Sequence, residues 1–557
     1  MGNGMNTYYE HLAAKINLGP GRTFGISFDK MWRLLTVILF AIICLVMLFT
    51  FKDYGTIWDE EVQFVNGEHI ISWFRTLFED RSSLEYFDLI YYGGLFDVIA
   101  NLGVRVLPFG IYESRHLVTV GFAVLGLYVT WRIGRLVGGP ATGFMATLFL
   151  VLTPVFYGHA FNNPKDIPFA SLSALTLYYI LLSSRSLPAF PIKLAVKTGL
   201  ALGATLGIRV GGAFLIGYLL LFWTSRFLSN PPLESTRTWL RMVLGRAAVV
   251  ILVAWPTMLL CWPWAQLAPF ARPFEAFAAA AHFRWEGEML FRGQMISSLA
   301  VPWDYLPTWF LITLPEAYLV AFALGVFLLV RILLKKDIPS RGGFLDASAL
   351  VFTVLFPLAA VVALKSVLYD AHRQFLFVLP PLAVLSAWCF VAFLENRGIH
   401  QVIRWLADSL VGASFVLTII DMVQLHPYQT LYFNRLFGGG LEKAATRYET
   451  DYWGASYREG IEALIRHYRP DGPMPVKVAN CAATFQIEYW LSKNPEAHRW
   501  FISVKPTDDP DILIATKRYR CMPDPGRIIH IVERQGIPIL AIYERRPRGT
   551  WIASDEK

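Results

Sequence analysis

Charged residues are scarce in this sequence of 557 residues: Asp, Glu, Lys and Arg make up only 17% of it. Soluble domains usually contain about 25%. Hydrophobic residues make up 55%. Apolar stretches recur between residues 33 and 423, and each is long enough to cross a hydrocarbon core of ~30 Å. The scarcity of charge therefore excludes an ordinary soluble protein and predicts a polytopic membrane protein.

Other patterns are lacking as well. The apolar stretches do not alternate with period two, which excludes a transmembrane β-barrel. The first 30 residues lack a signal-peptide pattern, so we expect the first apolar stretch to be retained as a span. The five cysteines do not have metal-site spacing. Cys481 and Cys521 lie in the polar C-terminal part, where either a disulfide or two free thiols would fit the sequence.

The apolar stretches predict about eleven transmembrane helices. They lie near residues 33–51, 116–134, 141–158, 168–184, 191–208, 212–228, 246–264, 308–331, 345–364, 373–394 and 403–423. Most of the lysines and arginines behind the net charge of +8 lie at the N-terminus and in alternate short loops. The positive-inside rule puts those loops in the cytoplasm. We therefore expect a bacterial inner membrane protein whose other loops face the periplasm, and the charge does not indicate binding to nucleic acid.

The chain divides into three parts on this topology. We predict a cytoplasmic N-terminus (1–32), a transmembrane domain (33–428) and a small C-terminal periplasmic α/β domain (429–557), where short strand-like stretches replace the long apolar ones. The extracytoplasmic loops of the transmembrane domain are predicted at 52–115, 158–168, 265–307 and 365–373. Apolar residues spaced along 60–78 in the first of these loops predict an amphipathic helix on the membrane surface.

Acidic and basic residues gather on the predicted periplasmic side. Asp59 and Glu60 follow the first span, Lys165 and Asp166 follow the third, and Arg209 follows the fifth. His372 and Arg373 lie just before the tenth span. Ionisable residues at such positions are costly and are more often functional than incidental. We therefore expect these loops to meet in one cavity.

Carboxylates beside cations at a membrane surface suit the transfer of a sugar from a polyprenyl phosphate. The leaving phosphate departs as an anion, so it requires cations to stabilise the developing charge. The attacking hydroxyl is a weak nucleophile and requires a carboxylate to take its proton. An apolar groove between the helices would hold the lipid tail.

Several stretches resemble those of GT-C glycosyltransferases, most closely the dolichyl-phosphate-mannose protein mannosyltransferase-like family, glycosyltransferase family 39. The aminoarabinose transferases are similar at a greater distance. The stretches that carry the resemblance are IWDEEVQF (57–64), HAFNNPKDIPFA (159–170), GIRVGG (207–212), LYDAHRQFLFVLPP (368–381), YQTLYFNRLFGGG (428–440) and YETDYWGASY (448–457). The resemblance implies a GT-C fold and an inverting hexosyltransferase. Its donor would be a polyprenyl-phosphate sugar, and its acceptor a glycan, lipid or protein hydroxyl on the periplasmic side. The membrane lipid around the helices would be a further partner.

The resemblance also implies roles by position. Asp59 matches the catalytic aspartate of the first-loop motif and would be the general base, Glu60 matches the second acid, and Asp166 matches an acid near the reaction centre. The charge of Lys165, Arg209 and Arg373 and their side of the membrane predict that they bind the donor phosphate. The Tyr-Asp-Gly-x-Arg-His pattern of the family appears here with Ala371 in place of glycine and the basic pair shifted. His372 is therefore a phosphate-ligand candidate as well.

Alternatives remain open at this stage. Asp59 could be a helix N-cap, Arg209 and Arg373 could be interfacial anchors, and the chain could be a flippase of lipid-linked sugars or a membrane scaffold. No internal inverted repeat of the kind found in transporters is evident. The pattern requires no cofactor, although a divalent metal ion between phosphate and carboxylates would be compatible with it. Neither the sugar nor the acceptor can be identified from the sequence.

Overall fold

The computed structural model describes residues 28–188, 190–229, 236–281, 283–335, 341–472, 474–518, 522 and 524–552. Long apolar helices form most of it, as the composition predicts, and a small sheet-containing domain follows them. The fold class predicted from the sequence, a helical polytopic protein with a C-terminal α/β domain, is confirmed in these terms.

The helices up to the C-terminal domain occupy most of the first 424 residues. They are α1 Phe28–Thr50, α2 Asp59–Arg75, α3 Leu95–Val106, α4 Ile111–Val151, α5 Pro154–Asn162, α6 Asp166–Arg185, α7 Ile192–Leu206, α8 Phe214–Ser229, α9 Thr236–Leu259, α10 Pro263–Gln266, α11 Arg272–Ala281, α12 Tyr305–Thr313, α13 Glu316–Lys335, α14 Arg341–Leu364, α15 Leu379–Glu395 and α16 Gln401–Gln424. A short hairpin, β1 Glu288–Phe291 and β2 Gln294–Ser297, lies between α11 and α12.

Nine helices of the described residues are long and apolar enough to cross a membrane. They are Asp29–Thr50, Ile111–Val151, Asp166–Arg185, Val210–Ser229, Thr236–Leu259, Glu316–Leu334, Leu345–Leu364, Arg373–Glu395 and Gln401–Gln424. The predicted span at 191–208 corresponds to α7, which has only 15 residues and is short for a crossing. The number eleven therefore stays a prediction.

Two of the predicted spans, 116–134 and 141–158, begin within the single stretch α4. Its backbone leaves the helical conformation at Gly139, where φ is +84°. A Cβ atom on Gly134 would lie 2.8 Å from the Cα of Gly143, although nine residues of straight helix would separate these positions by about 13 Å. The chain therefore folds back at Gly139, where glycine adopts a positive φ without a steric penalty.

Helix α2 is the predicted helix of the first loop, but its buried face is partly polar. Glu60, Gln63 and Asn66 are buried on it. The reason is a buried ion pair beneath the helix, in which Arg115 Nη2 lies 3.2 Å from Asp97 Oδ1. Asn66 Nδ2 donates to Asp97 Oδ2 at 2.9 Å. Buried charges have to be paired and hydrogen-bonded, so this network selects Gln63 and Asn66, whose amides face Asp97.

The C-terminal domain is a mixed sheet with short helices. Its elements are α17 Gly440–Ala444, α18 Tyr457–His467, β3 Tyr468–Pro470, β4 Val476–Asn480, α19 Thr484–Ser492, α20 Ala497–Trp500, β5 Phe501–Ser503, β6 Ile512–Thr516, β7 Arg527–Arg534, β8 Ile537–Glu544 and β9 Gly549–Trp551. The central sheet has the order β5-β4-β6-β8-β7, and β3 pairs with β9. Strand β4 is parallel to β5 and β6, whereas β8 is antiparallel to β6 and β7.

The cysteines differ between the two parts of the chain. Cys44, Cys261 and Cys389 are free thiols, whereas Cys481 is disulfide-bonded. Cys521, which the sequence suggested as a candidate partner, lies outside the described residues.

We predict that Arg115→Leu destabilises the protein by about 3–5 kcal/mol, because it leaves the Asp97 carboxylate buried without its cation. The free energy of unfolding in mixed micelles measures the effect. Arg105→Leu is the matched control, since Arg105 forms an exposed pair with Glu68, and such pairs contribute about 0–1 kcal/mol. Equal losses in the two variants would contradict the assignment.

Candidate active site

The first-loop motif is held in place by residues from distant parts of the chain. Asp59 is the first residue of α2, and its side chain makes no capping hydrogen bond there, so the capping alternative is wrong. The Trp58 backbone N–H donates to the Trp453 carbonyl at 3.2 Å. The Asn162 side-chain amide donates to the Gly55 carbonyl at 3.0 Å. Together these contacts fix the position of the backbone just before Asp59, where α2 begins.

The second-loop motif turns around one asparagine. The Asn163 Oδ1 atom accepts from the backbone N–H groups of Lys165 (3.3 Å) and Asp166 (2.9 Å), and its Nδ2 donates to Asp166 Oδ2 at 3.0 Å. This turn directs the side chains of Lys165 and Asp166 to different partners. Lys165 Nζ lies 2.8 Å from Asp59 Oδ2, so the first and second loops meet here.

Asp166 joins the remaining predicted cations. Its Oδ1 lies 2.7 Å from Arg209 Nη1, and its Oδ2 lies 3.2 Å from Arg373 Nη1. Asp166 and Arg373 are the first residues of two of the candidate membrane helices. The structure therefore brings five of the seven predicted site residues into one cluster of two neighbouring ion-paired groups, Asp59 with Lys165 and Asp166 with Arg209 and Arg373. The charges of Arg373 and Asp166 both act on Asp59.

Two glycines allow the loop with Arg209 to approach the first loop. A Cβ atom on Gly93 would lie 2.1 Å from the Gly207 carbonyl oxygen, which is closer than any side chain permits. The same carbonyl accepts from the Leu95 backbone N–H at 3.2 Å. The Arg209 guanidinium lies 6.0 Å from the Tyr92 ring as a result. A larger residue at Gly93 would push the two loops apart.

The fourth loop has strained backbone beside its arginine. Asp370 and Ala371 both have positive φ, +58° and +59°. This left-handed conformation costs a non-glycine residue roughly 1–2 kcal/mol, and such strain is concentrated at functional sites. Ala371 stands where the resembling family has glycine, which adopts this conformation freely.

The C-terminal domain supplies residues that the sequence analysis missed. Arg518, whose side chain is only 7% exposed, lies 2.6 Å from Asp370 Oδ1 and 3.0 Å from Glu449 Oε2. Trp453 Nε1 donates to Asp370 Oδ2 at 3.2 Å, and its ring lies 4.3 Å from the Arg373 guanidinium. Asp370 in turn accepts from Arg373 Nη2 at 2.8 Å. The cluster is therefore built from both parts of the chain.

Only some of these residues had a signal in the sequence. Glu449 and Trp453 lie in the stretch YETDYWGASY, which is part of the resemblance, but the resemblance implied no place in the site for either residue. Arg518 follows strand β6 without any recognisable motif around it. Its role depends on how the domain packs, which local sequence does not encode.

Glu60 lies beside the cluster but makes its contacts elsewhere. Its Oε1 lies 2.9 Å from His116 Nε2, and its Oε2 accepts from the Ile57 backbone N–H at 3.0 Å. The residue is 1% exposed. Glu60 thus holds the start of α2 to α4, while the neighbouring Asp59 carboxylate reaches Lys165.

His372 is also placed differently from the predicted cations. It is 1% exposed, and its ring centroid lies 4.7 Å from that of Phe310. Burial lowers the pKa of His372 to about 3. The imidazole is therefore neutral at physiological pH and adds no positive charge to the cluster, and its role as a phosphate ligand stays a prediction.

Asp59 and Lys165 keep each other charged. Burial raises the pKa of Asp59, but the charges of Lys165 and Arg373 outweigh burial, and its pKa lies below the ordinary value. Burial likewise lowers the pKa of Lys165, but the Asp59 carboxylate outweighs it, and the pKa is raised. At neutral pH the pair is therefore an ammonium beside a carboxylate.

The cluster has an accessible side and a buried side. The side chains of Asp59, Lys165 and Arg209 are 21%, 17% and 16% exposed, whereas that of Arg373 is 3% exposed. A ligand that arrives from outside would therefore meet Asp59, Lys165 and Arg209 first. Arg373 is buried and would act on this ligand only through the electrostatic field of its positive charge.

The charges of the cluster do not balance. Lys165, Arg209, Arg373 and Arg518 are four cations, and Asp59, Asp166 and Asp370 are three carboxylates. Burial raises the pKa of Glu449 to about 8, even though Arg518 favours its ionisation, so Glu449 is mostly protonated at pH 7. The cluster then carries about one positive charge in excess, which suits an anionic ligand.

A metal ion fits this donor set poorly. Among the residues that the structure describes, no group of three or more His, Cys, Asp or Glu side chains is arranged to hold one. Each aspartate of the cluster already lies against an ammonium or a guanidinium group. We therefore derive no step that requires a metal.

A cavity of about 550 Å³ lies away from this cluster. It is formed where the end of α16 meets the C-terminal domain, and Asp421, Arg435 and Gln535 are among its lining residues. No predicted site residue lines it, so the candidate site rests on the charge cluster.

No protein-family model and no curated protein matches the sequence. Solved structures do match. ArnT from Cupriavidus metallidurans in the apo state is 14% identical, with a TM-score of 0.46 over 91% of this chain and 97% of that chain. An oligosaccharyltransferase from Archaeoglobus fulgidus is 13% identical, with a TM-score of 0.47 over 86% and 65%.

The arabinofuranosyltransferase AftD from Mycobacteria is 12% identical, with a TM-score of 0.44 over 94% of this chain and 40% of that chain. These three proteins are GT-C glycosyltransferases, the class that the sequence motifs resemble. At TM-scores below 0.5 the likeness assigns no role to any residue of this chain. The function is therefore argued from the site itself.

We predict that Glu449 makes the stability depend on pH. The pKa of Glu449 is about 8 in the folded protein, whereas in the unfolded chain it lies near the ordinary glutamate value of 4.5. Between these values the folded protein holds a proton that the unfolded chain has released, so the free energy of unfolding falls as pH rises. The variant Glu449→Gln lacks this decrease in the free energy of unfolding. Between the two pKa values, its free energy of unfolding relative to that of the wild type should rise by up to about 1.4 kcal/mol per pH unit.

Thermal unfolding of both proteins between pH 5 and pH 9 measures this difference. Glu442→Gln is the control, because Glu442 is exposed and should show a constant difference from wild type. A constant difference for Glu449→Gln as well would show that Glu449 is not held protonated.

Proposed function

We propose that this protein is an inverting glycosyltransferase that moves a monosaccharide from a polyprenyl phosphate to an acceptor hydroxyl at the periplasmic face of the bacterial inner membrane. The observation that carries the proposal is the contact of Asp59 with Lys165 in a cluster that continues to Arg209 and Arg373. A partly exposed carboxylate beside a surplus of positive charge provides both functions that the reaction requires.

Asp59 is the proposed general base. The acceptor oxygen attacks the anomeric carbon, the bond from that carbon to the phosphate oxygen breaks, and the proton of the hydroxyl passes to an Asp59 oxygen. The 21% exposure of this side chain leaves it reachable. Asp166 is fully enclosed by its arginines and asparagine, so its proposed role is to hold the two arginines in position.

Lys165 and Arg209 are the proposed contacts of the donor phosphate. They are the more exposed cations of the cluster, and Arg–phosphate contacts are strong and often bidentate. The departing lipid phosphate gains one negative charge, which these groups stabilise together with the buried Arg373. Arg518 is a positioning residue in this proposal, because it fixes Asp370 against Arg373.

Donor binding also prepares the base under this proposal. In the free protein the Lys165 ammonium lowers the pKa of Asp59 and makes it a weak proton acceptor. A donor phosphate that takes over Lys165 weakens this interaction, and the pKa of Asp59 then rises toward the value that burial favours. The carboxylate thus becomes more basic when the sugar is in place.

A flippase is less well supported by the same geometry. Transporter sites lie near the middle of the membrane between discontinuous helices. Here Asp166 and Arg373 are the first residues of their spans, and Arg209 immediately precedes one. Charges at the ends of helices favour chemistry at the membrane surface.

We predict that Asp59→Asn lowers the turnover number about 10²–10⁴-fold, as the loss of a general base does. Purified protein in proteoliposomes is given a panel of undecaprenyl-phosphate monosaccharides together with a panel of glycan, lipid and peptide acceptors. Transfer of the sugar and release of undecaprenyl phosphate are followed by mass spectrometry. Asp53→Asn is the matched control, because this neighbouring aspartate is 48% exposed and pairs with His426.

Equal rates for Asp59→Asn and wild type would remove Asp59 as the base. Movement of the intact lipid-linked sugar across the bilayer without release of undecaprenyl phosphate would instead establish the flippase.

We predict that Arg209→Gln raises the donor KM by roughly tenfold or more, since a hydrogen bond to a charged group contributes about 1.5–3 kcal/mol. Arg105→Gln, on the exposed side of α3, should leave the donor KM unchanged. If Arg209→Gln changes only the acceptor KM, the assignment of Arg209 to the donor phosphate is wrong.

A further inference from the structure

A second charged cavity lies at the opposite ends of the helices that carry the site. Its volume is about 190 Å³, and its lining residues come from α6, α8 and α14. Helix α6 begins at Asp166 and ends at Arg185, so its two ends are about 29 Å apart. Helix α8 likewise begins shortly after Arg209 and ends beyond Arg226. The cavity thus belongs to the other face of the membrane.

Asp346 and Arg226 line the polar side of this cavity, and Arg185 contacts the same Asp346 carboxylate from beside the cavity. Asp346, whose side chain is 5% exposed, accepts from Arg226 Nη2 on one oxygen (2.7 Å) and from Arg185 Nη2 on the other (2.5 Å). Arg185 also donates from Nε at 3.0 Å. Two guanidinium groups against one carboxylate leave a surplus of one positive charge. Each guanidinium has five N–H donors, more than these contacts use.

The rest of the cavity is mostly apolar. It is lined by Leu181, Leu221, Phe222, Leu345, Ala349 and Phe352, beside the small polar residues Ser184 and Ser225. Leu221 is 40% exposed on the outer surface of its helix, where lipid surrounds a spanning protein. A cationic group above an apolar wall matches a phosphate group that is attached to hydrocarbon chains.

We propose that this cavity binds the headgroup of an anionic phospholipid from the leaflet opposite the candidate active site. Basic pockets between transmembrane helices bind such headgroups, and guanidinium groups hold phosphate through paired hydrogen bonds. The phosphate takes the surplus charge of Arg185 and Arg226, and an acyl chain lies along the apolar residues. A free phosphate ion has no hydrocarbon chain that could pack against these apolar residues.

The bound lipid would link the three helices at the end remote from the cluster. Asp346 competes with the lipid phosphate for the same two arginines, because its carboxylate occupies donors that the phosphate would use. The proposal therefore predicts that removal of the negative charge of Asp346 strengthens lipid binding.

The test measures lipid binding to the purified full-length protein in detergent. Native mass spectrometry and the shift of the thermal unfolding midpoint are recorded with phosphatidylglycerol, phosphatidylcholine and inorganic phosphate. Phosphatidylglycerol should bind and raise the midpoint, and the other two should not. The double variant R185Q/R226Q should weaken the binding of phosphatidylglycerol, by roughly fivefold for each arginine removed.

Two further variants keep the test decisive if the double variant folds poorly. D346N should bind phosphatidylglycerol several times more tightly than wild type. R331Q is the matched control, because Arg331 lies near the end of α13 and contacts the Gly398 carbonyl; it should bind as wild type does. Equal stabilisation by phosphatidylcholine or by inorganic phosphate would overturn the proposal, and so would unchanged or weaker binding by D346N.

Discussion

The candidate site depends on the pairing of buried charges. A carboxylate in a poorly solvated place is tolerated only beside a cation, and here every aspartate of the cluster has one within 3.2 Å. The partners come from separate loops and from the C-terminal domain. Pairing therefore determines how these segments meet, and Asp166, which holds two arginines at once, is the centre of the arrangement.

The membrane helices and most of the cluster were predictable from the sequence, for different reasons. Apolar length reveals a span without any knowledge of its neighbours. The meeting of Asp59, Lys165, Asp166, Arg209 and Arg373 followed from topology, because the positive-inside rule places their loops on one side. Their individual contacts, such as that of Lys165 with Asp59, were not predictable, since they depend on side-chain directions that Asn163 sets.

Other features lay beyond sequence reasoning. The sequence predicted an amphipathic helix on the membrane surface over residues 60–78, yet the buried face of α2 has Gln63 and Asn66 beside the ion pair of Asp97 and Arg115. His372 lies next to Arg373 in the chain, but one is a neutral ring against Phe310 and the other a paired cation. The sharp return at Gly139 turns two predicted spans into a hairpin without a loop. Each of these features is decided by packing between segments that are far apart in the sequence.

The participation of Arg518, Glu449 and Trp453 has a consequence for biosynthesis. Ribosomes make the C-terminal domain after the candidate membrane helices that begin at Asp166 and Arg373. Until strand β6 has formed and delivered Arg518, Asp370 lacks one of its cations. The nascent protein therefore enters the membrane with an incomplete charge cluster. The cluster is complete only when the C-terminal domain has packed against the helices.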